Sequence, residues 1–63
     1  MSTNKVNVYK NQGEWCYAMF VGCEFDHSDV LDVADDATDD EAKEEAQRQF
    51  GNASVHRVYD TNE

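Results

Sequence analysis

Residues 15–25 read WCYAMFVGCEF and decide the fold that the sequence predicts. An alternation of side chains with a period of two is typical of a β-strand, because successive strand residues point to opposite faces. Six apolar side chains share one face of this stretch: Trp15, Tyr17, Met19, Val21, Cys23 and Phe25. The other face is small or apolar at first and acidic at its end. We therefore expect one long, central strand in an antiparallel sheet.

Shorter strands are expected on both sides of this stretch. Val6 and Val8 alternate with polar neighbours in residues 5–10, and Gly13 suits a hairpin turn that follows them. Residues 26–29 read as a second turn. Residues 30–33 are interpreted as a short third strand, with a short helical segment capped by Asp29 as the alternative. Residues 53–59 form the expected last strand.

The tetrapeptide Thr38-Asp39-Asp40-Glu41 predicts the start of a helix at its second residue. The Thr38 side chain can accept a hydrogen bond from the backbone of Glu41 while the Glu41 side chain reaches back, which is a capping box. Acids in a first helical turn suit the positive end of the helix dipole. Gly51 is placed for a left-handed C-terminal cap. A narrow apolar stripe is expected to face the sheet, formed by Ala42, Ala46 and Phe50.

These elements predict an α+β fold of order β-β-(β)-α-β, with a small antiparallel sheet of three to four strands and one helix packed on one face. The 63 residues are expected to form a single domain with flexible ends at about residues 1–4 and 60–63. The chain has no run of about 18 apolar residues that could span a bilayer. Its polar first residues do not resemble a signal peptide. The expected location is therefore the cytoplasm.

Residue spacing disfavours catalytic, metal and cofactor sites. Cys16 and Cys23 are seven residues apart in what reads as one strand, about 23 Å and too far for a disulfide. These cysteines, His27 and His56 lack the paired spacing of a zinc site, and the acids lack the glycine of a calcium-binding loop. Neither histidine has an evident Ser or Cys nucleophile together with an orienting partner. We expect a non-enzymatic protein without a cofactor.

The chain concentrates its negative charge in one segment. Eleven of its 14 acids lie within residues 24–45, where Lys43 is the one Lys or Arg. A net charge of −9 leaves nothing to hold phosphates, so we expect neither nucleic acid nor a membrane as a direct partner. We expect the acids to bind a partner protein, and we call them the acidic band: Glu24, Asp26, Asp29, Asp32, Asp35, Asp36, Asp39, Asp40, Glu41, Glu44 and Glu45.

Helical carboxylates rise about 1.5 Å per residue, and duplex DNA carries one phosphate charge per about 1.7 Å of axis, so an acidic face can imitate a nucleic-acid backbone. In size and charge the chain resembles small phage and mobile-element inhibitors that mimic DNA. The resemblance implies an anti-defence role in which the acidic band blocks the basic surface of a DNA- or RNA-binding protein. The alternative is a soluble structural or accessory domain whose acidity serves solubility or salt adaptation.

A second surface is expected on the side of the sheet away from the helix. Cys16, Ala18 and Phe20 share that side, and the chain has more large rings than one thin core needs. The sequence therefore suggests a dimer interface or docking face there, and a homodimer through this sheet face belongs to the alternative function.

Overall fold

The computed structural model describes residues 4–59 of the chain, which fold into one sheet and one helix. The elements in chain order are β1 (Asn4–Asn11), β2 (Glu14–Val21), β3 (Glu24–Val30), α1 (Asp39–Gln49) and β4 (Ala53–Arg57). The strands are ordered β3-β2-β1-β4 across the sheet. The predicted α+β class, with a helix on one sheet face, is confirmed. The expected flexible ends lie outside the described residues, except for Asn4, which begins β1.

Two tight hairpins connect the first three strands. Gln12 and Gly13 both have positive φ, 53° and 84°, as a type I′ turn between β1 and β2 requires. Gly22 has φ 64° and turns the chain between β2 and β3. The prediction of one long strand over residues 15–25 was therefore wrong, and so was the predicted turn at 26–29, which lies inside β3. A two-residue turn interrupts the apolar alternation so briefly that the pattern reads as one strand.

Residues 30–33 form neither a strand of their own nor a helix. Val30 ends β3, and the next residue enters a loop that runs to the helix. Leu31 is almost fully buried, and its N–H donates to the carbonyl of Trp15 at 2.9 Å. The indole Nε1 of Trp15 donates in turn to the carbonyl of Ala37 at 3.1 Å. The loop departs from the sheet because burying Leu31 in the core cluster that also holds Trp15 keeps both apolar groups from water.

The last strand differs from the prediction in its direction. β4 pairs with β1 in parallel, so the sheet is mixed and not wholly antiparallel. The physical reason lies in the connection. The loop crosses the end of the sheet where β3 stops, and α1 carries the chain back along the sheet, so β4 must run in the direction of β1. α1 contacts β4 and β1, which leaves β3 as the far edge of the sheet.

The helix packs on the sheet through small residues. Ala42 and Ala46 are fully buried, and Phe50 lies partly buried against the Tyr17 ring, with ring centroids 4.8 Å apart. The predicted stripe is thus confirmed, as are the helix start and its capping box. The core is formed by Val6, Val8, Trp15, Met19, Leu31, Ala42, Ala46 and Ala53.

The end of the helix was predicted incorrectly. Gly51 does not have positive φ, and the C-cap is Phe50 with φ −122°. The amide Nε2 of Gln47 donates instead to the carbonyls of Gly51 and Ala53, at 3.4 and 3.2 Å. A side-chain donor therefore satisfies carbonyls beyond the helix without a left-handed residue. Within residues 4–59, no helix has the length and apolar character needed to cross a membrane.

Candidate protein-interaction surface

The acidic band is spread over three neighbouring parts of the chain. Three acids lie on β3, three in the loop of residues 31–38 and five in α1. All seven residues of β3 are exposed, as expected for an edge strand that the helix does not reach. In the strand register Glu24 pairs with Val21, and Asp29 with Tyr17. Paired strand residues share a face, so these two acids lie on the helix side of the sheet.

Asp26 lies at an irregularity in the pairing of β2 with β3. Met19 pairs with His27 and Phe20 pairs with Phe25, so Asp26 is an extra residue in β3, as in a β-bulge. Its Oδ2 lies 2.6 Å from Nδ1 of His27. The other ring nitrogen of His27 lies 3.5 Å from the Tyr17 hydroxyl. This contact places the Asp26 carboxylate on the helix side, beside the other β3 acids.

Two acids of the helix are engaged with nearby groups. Glu41 accepts a hydrogen bond from the backbone N–H of Thr38 at 3.0 Å, and this bond lowers the pKa of Glu41. Glu45 accepts hydrogen bonds from the Arg48 guanidinium and, at 3.2 Å, from the Gln49 amide. The Arg48 bonds are the main cause of the lowered pKa of Glu45.

Asp39 takes part in a contact between the helix and β4. Its oxygens accept hydrogen bonds from the Tyr59 hydroxyl at 3.0 Å and from Nε of Arg57 at 3.2 Å. These bonds, the Tyr59 bond first, lower the pKa of Asp39. The Arg57 guanidinium lies 4.7 Å from the Trp15 ring centroid and 4.1 Å from that of Tyr59, and its side chain is only 8% exposed. The charge of Arg57 is therefore largely withdrawn from the surface.

The sequence analysis did not predict the contact of the Arg57 guanidinium with the Trp15 and Tyr59 rings. The signal available was the alternation of β4, which places Arg57 and Tyr59 two residues apart on the side that holds the core. Trp15 and the guanidinium then meet because β1 lies between β2 and β4 and both side chains point to the helix side. No motif marks such a contact before the strand order is known.

More than half of the acidic band makes no hydrogen bond or ion pair among residues 4–59, although Asp32 lies near enough to Arg48 to contribute to the raised pKa of that guanidinium. Asp29 accepts from the backbone N–H of Val30 at 2.7 Å, and the four acids described above are also engaged. We call the others the six unpaired acids: Glu24, Asp32, Asp35, Asp36, Asp40 and Glu44. They lie on the edge strand, the loop and the helix.

Few cations are available near these acids. Lys5 and Lys10 lie over the rings of Phe20 and Trp15, at 5.5 and 5.0 Å from the centroids, and both arginines are paired with acids. Lys43 lies on the helix, in a groove with Asp40 and Glu44. A second groove on the helix has the carboxylates of three glutamates in its lining: Glu41, Glu44 and Glu45. The helix side of the domain is thus strongly negative.

The opposite side of the sheet, which we call the open face, carries the predicted docking residues. Cys16, Ala18 and Phe20 lie there together, and Phe25 packs edge to face on Phe20 with centroids 5.6 Å apart. Cys16 is buried, and burial raises the pKa of its thiol. Cys23 lies exposed in the turn before β3, and both thiols are free.

Neither a metal site nor a likeness to known proteins points to a function for the described residues. Among residues 4–59, no group of three or more His, Cys, Asp or Glu side chains is arranged to hold a metal ion. No protein-family model, curated protein or solved structure matches the chain. Function must therefore be inferred from the charge and the two faces of the domain.

Proposed function

We propose that this chain is a non-enzymatic interaction module whose acidic band binds the basic surface of a nucleic-acid-binding protein. The proposal is supported chiefly by the six unpaired acids. Carboxylates that serve folding are satisfied within the domain, as Asp39 and Glu41 are. Carboxylates without an internal partner remain free to accept hydrogen bonds from Arg and Lys side chains of another protein.

The density of charge on the helix favours a partner that holds phosphates. Five acids lie within residues 39–45, which is one carboxylate per about 2 Å of helix axis at about 1.5 Å per residue. Duplex DNA has one phosphate charge per about 1.7 Å. A basic groove that fits a nucleic-acid backbone therefore meets carboxylates at a similar linear spacing on α1, of which Asp39 and Glu45 are already paired with Arg57 and Arg48.

Part of the arrangement of acids is unfavourable for the helix, although the acids of its first turn suit the helix dipole. Asp40 and Glu44 are four residues apart on α1, as are Glu41 and Glu45. Like charges at this spacing repel each other and weaken a helix. A partner that supplies cations converts this repulsion into attraction, which supports a binding role over one in folding.

Binding would act by competitive occupation. Long-range attraction steers a highly negative domain toward a basic groove, and the carboxylates then take the places of phosphates. In its most concrete form, the proposal is a cytoplasmic inhibitor of phage or mobile-element origin that blocks a defence enzyme acting on DNA or RNA. Such binding weakens as salt rises, because salt screens charges across the interface.

The test compares two variants of equal charge. One replaces three unpaired acids, Asp35→Asn, Asp36→Asn and Asp40→Asn. The control replaces three acids outside the band, Glu14→Gln, Asp60→Asn and Glu63→Gln. Each raises the net charge from −9 to −6, because three acids are neutralised. Capture of nucleic-acid-binding proteins from a bacterial lysate is measured for both variants and the wild type.

The band variant should capture its partner at least about tenfold more weakly, since each charged hydrogen bond contributes on the order of 1 kcal/mol or more. The control variant should bind like the wild type. Equal loss in both variants would mean that net charge alone, and not the band, drives binding. Wild-type binding by the band variant would overturn the proposal and leave solubility as the role of the acids.

A further inference from the structure

The open face differs from the rest of the molecule in its charge. The strand register places only Lys5, Glu14 and the titratable His56 there among the charged side chains of the described strands. With His56 neutral, the formal charge of this face is zero, while the whole chain carries −9. The acids of β3 all lie on the helix side. Folding thus separates a nearly neutral face from a strongly negative one.

The open face also exposes apolar groups that nothing in the domain covers. Phe25 is 59% exposed and Val30 is 55% exposed, and both lie on the open face of the edge strand beside Phe20 and Cys16. Exposed apolar side chains that are contiguous, and not scattered singly, mark interaction sites. The patch continues inward through Ala18 and the Tyr9 ring, which are half-buried.

We propose that the open faces of two copies of this chain pack against each other in solution, forming a homodimer with the acidic bands on its two outer sides. The charge distribution points to a second copy as the occupant. A face with no net formal charge and an exposed apolar patch complements a matching face, and packing them keeps the acids of the two chains on opposite sides of the dimer. Two sheets packed face to face lie about 10 Å apart, as in a β-sandwich.

The area of the open face determines how tightly two copies are expected to associate. Four strands about 4.8 Å apart, each about 17–26 Å long at about 3.3 Å per residue, cover on the order of 450 Å². Two copies would bury about 900 Å², which is below the roughly 1,200 Å² at which specific, stable interfaces begin. The dimer is therefore expected to be weak and to depend on protein concentration.

Pairing of two copies through the edge strand β3 is less favourable than packing through the open face. β3 has an unpaired edge, but Glu24, Asp26 and Asp29 lie along it. In an edge-to-edge dimer these acids would meet their counterparts on the second chain, and like charges placed opposite each other across strands are destabilising. Charged residues of this kind protect sheet edges from pairing.

Sedimentation equilibrium tests the dimer with variants that add the same charge to opposite sides of one hairpin. Phe25→Asp alters the open face, and Val21→Asp alters the helix side at a residue that is 48% exposed. The runs cover about 10 µM to about 1 mM protein, the range in which a weak interface associates. A reductant keeps Cys23 from linking chains, and far-UV circular dichroism verifies folding.

The wild type should rise from 7.2 kDa toward twice that mass with concentration, and more readily in 0.5 M salt, because salt screens the repulsion between two chains of −9. Phe25→Asp should remain a monomer, and Val21→Asp should behave as the wild type. Val30→Asp, on the open face, replaces Phe25→Asp if that variant does not fold. A wild type that stays monomeric at about 1 mM, or equal loss of dimer in Val21→Asp, would overturn the proposal.

Self-association and partner binding can be separated by their salt dependence. The homodimer strengthens with salt, while capture of a basic partner by the acidic band weakens. Loss of the dimer in Phe25→Asp should leave the affinity of one band for one partner unchanged, because the substituted residue lies on the other side of the sheet.

Discussion

Individual acids of the band have distinct environments even though the sequence presents them as one run. Asp39 is tied to Tyr59 and Arg57, whereas Asp40, the next residue, has no partner among residues 4–59. The difference arises because the helix turns Asp39 toward β4 and its neighbour toward water. Only the first of these two carboxylates is expected to contribute to folding.

The pair Asp39→Asn and Asp40→Asn tests this distinction by the dependence of stability on pH. The pKa of Asp39 is lowered from 3.8 by its hydrogen bonds, so its stabilising effect is full above that pH and is lost as the pH falls through the lowered value. Asp39→Asn should therefore unfold at a lower urea concentration than the wild type at pH 7. The gap should narrow as the pH falls below about 4 and close below the lowered pKa of Asp39.

Asp40→Asn is the matched control because it removes the same charge. It should unfold at nearly the same urea concentration as the wild type, because the repulsion between Asp40 and Glu44 and the attraction of Asp40 to the helix dipole oppose each other. A gap between Asp39→Asn and wild type that does not change with pH would contradict the account of Asp39.

At the scale of elements, local signals were readable from the sequence and strand boundaries were not. The capping box fixed the helix start because its two hydrogen bonds join residues three apart, Thr38 and Glu41. The turn at Gly22 was hidden because apolar residues continue at the same period on both sides of it. The loop after β3 depends on the burial of Leu31 in the core and on its backbone hydrogen bond to Trp15, which no local pattern records.

Replacing Thr38 tests how much the capping box stabilises the helix. Thr38→Ala removes the hydroxyl that accepts from the N–H of Glu41 and should lower the free energy of unfolding by about 1 kcal/mol. Thr38→Ser retains that acceptor and should cost much less. Urea unfolding followed by far-UV circular dichroism measures both. Equal losses in the two variants would indicate that the methyl group, and not the hydrogen bond, is responsible.

For the whole molecule, the sequence shows how much negative charge there is but not which face of the sheet carries it. The positions of Glu24 and Asp29 on the helix side follow from the register of β3, which starts only after the turn that sequence reasoning missed. The open face was partly predicted, since Cys16, Ala18 and Phe20 share the alternation of β2. Phe25, its most exposed ring, was assigned to the wrong face because the bulge and turn shift its position.

Salt should stabilise the folded monomer, because the acids on the helix side lie close enough together to repel each other. Between about 0.02 M and 0.5 M sodium chloride the melting temperature should rise, because the screening length falls below about 10 Å beyond 0.1 M. The band variant, in which residues 35, 36 and 40 are neutral, should show a smaller rise. The measurement uses dilute protein, about 10 µM, so that association does not contribute. A melting temperature that does not change with salt would show that the acids do not repel each other appreciably.

We propose that the acidic band occupies a site that otherwise holds nucleic acid. To test this, partners are captured from a bacterial lysate on the immobilised wild-type chain at low salt, eluted with duplex DNA or RNA, and identified. A nucleic-acid-binding protein should be captured, released by nucleic acid and lost at high salt. Capture only of the chain itself, or of proteins that nucleic acid does not displace, would show that the acidic band does not act in this way.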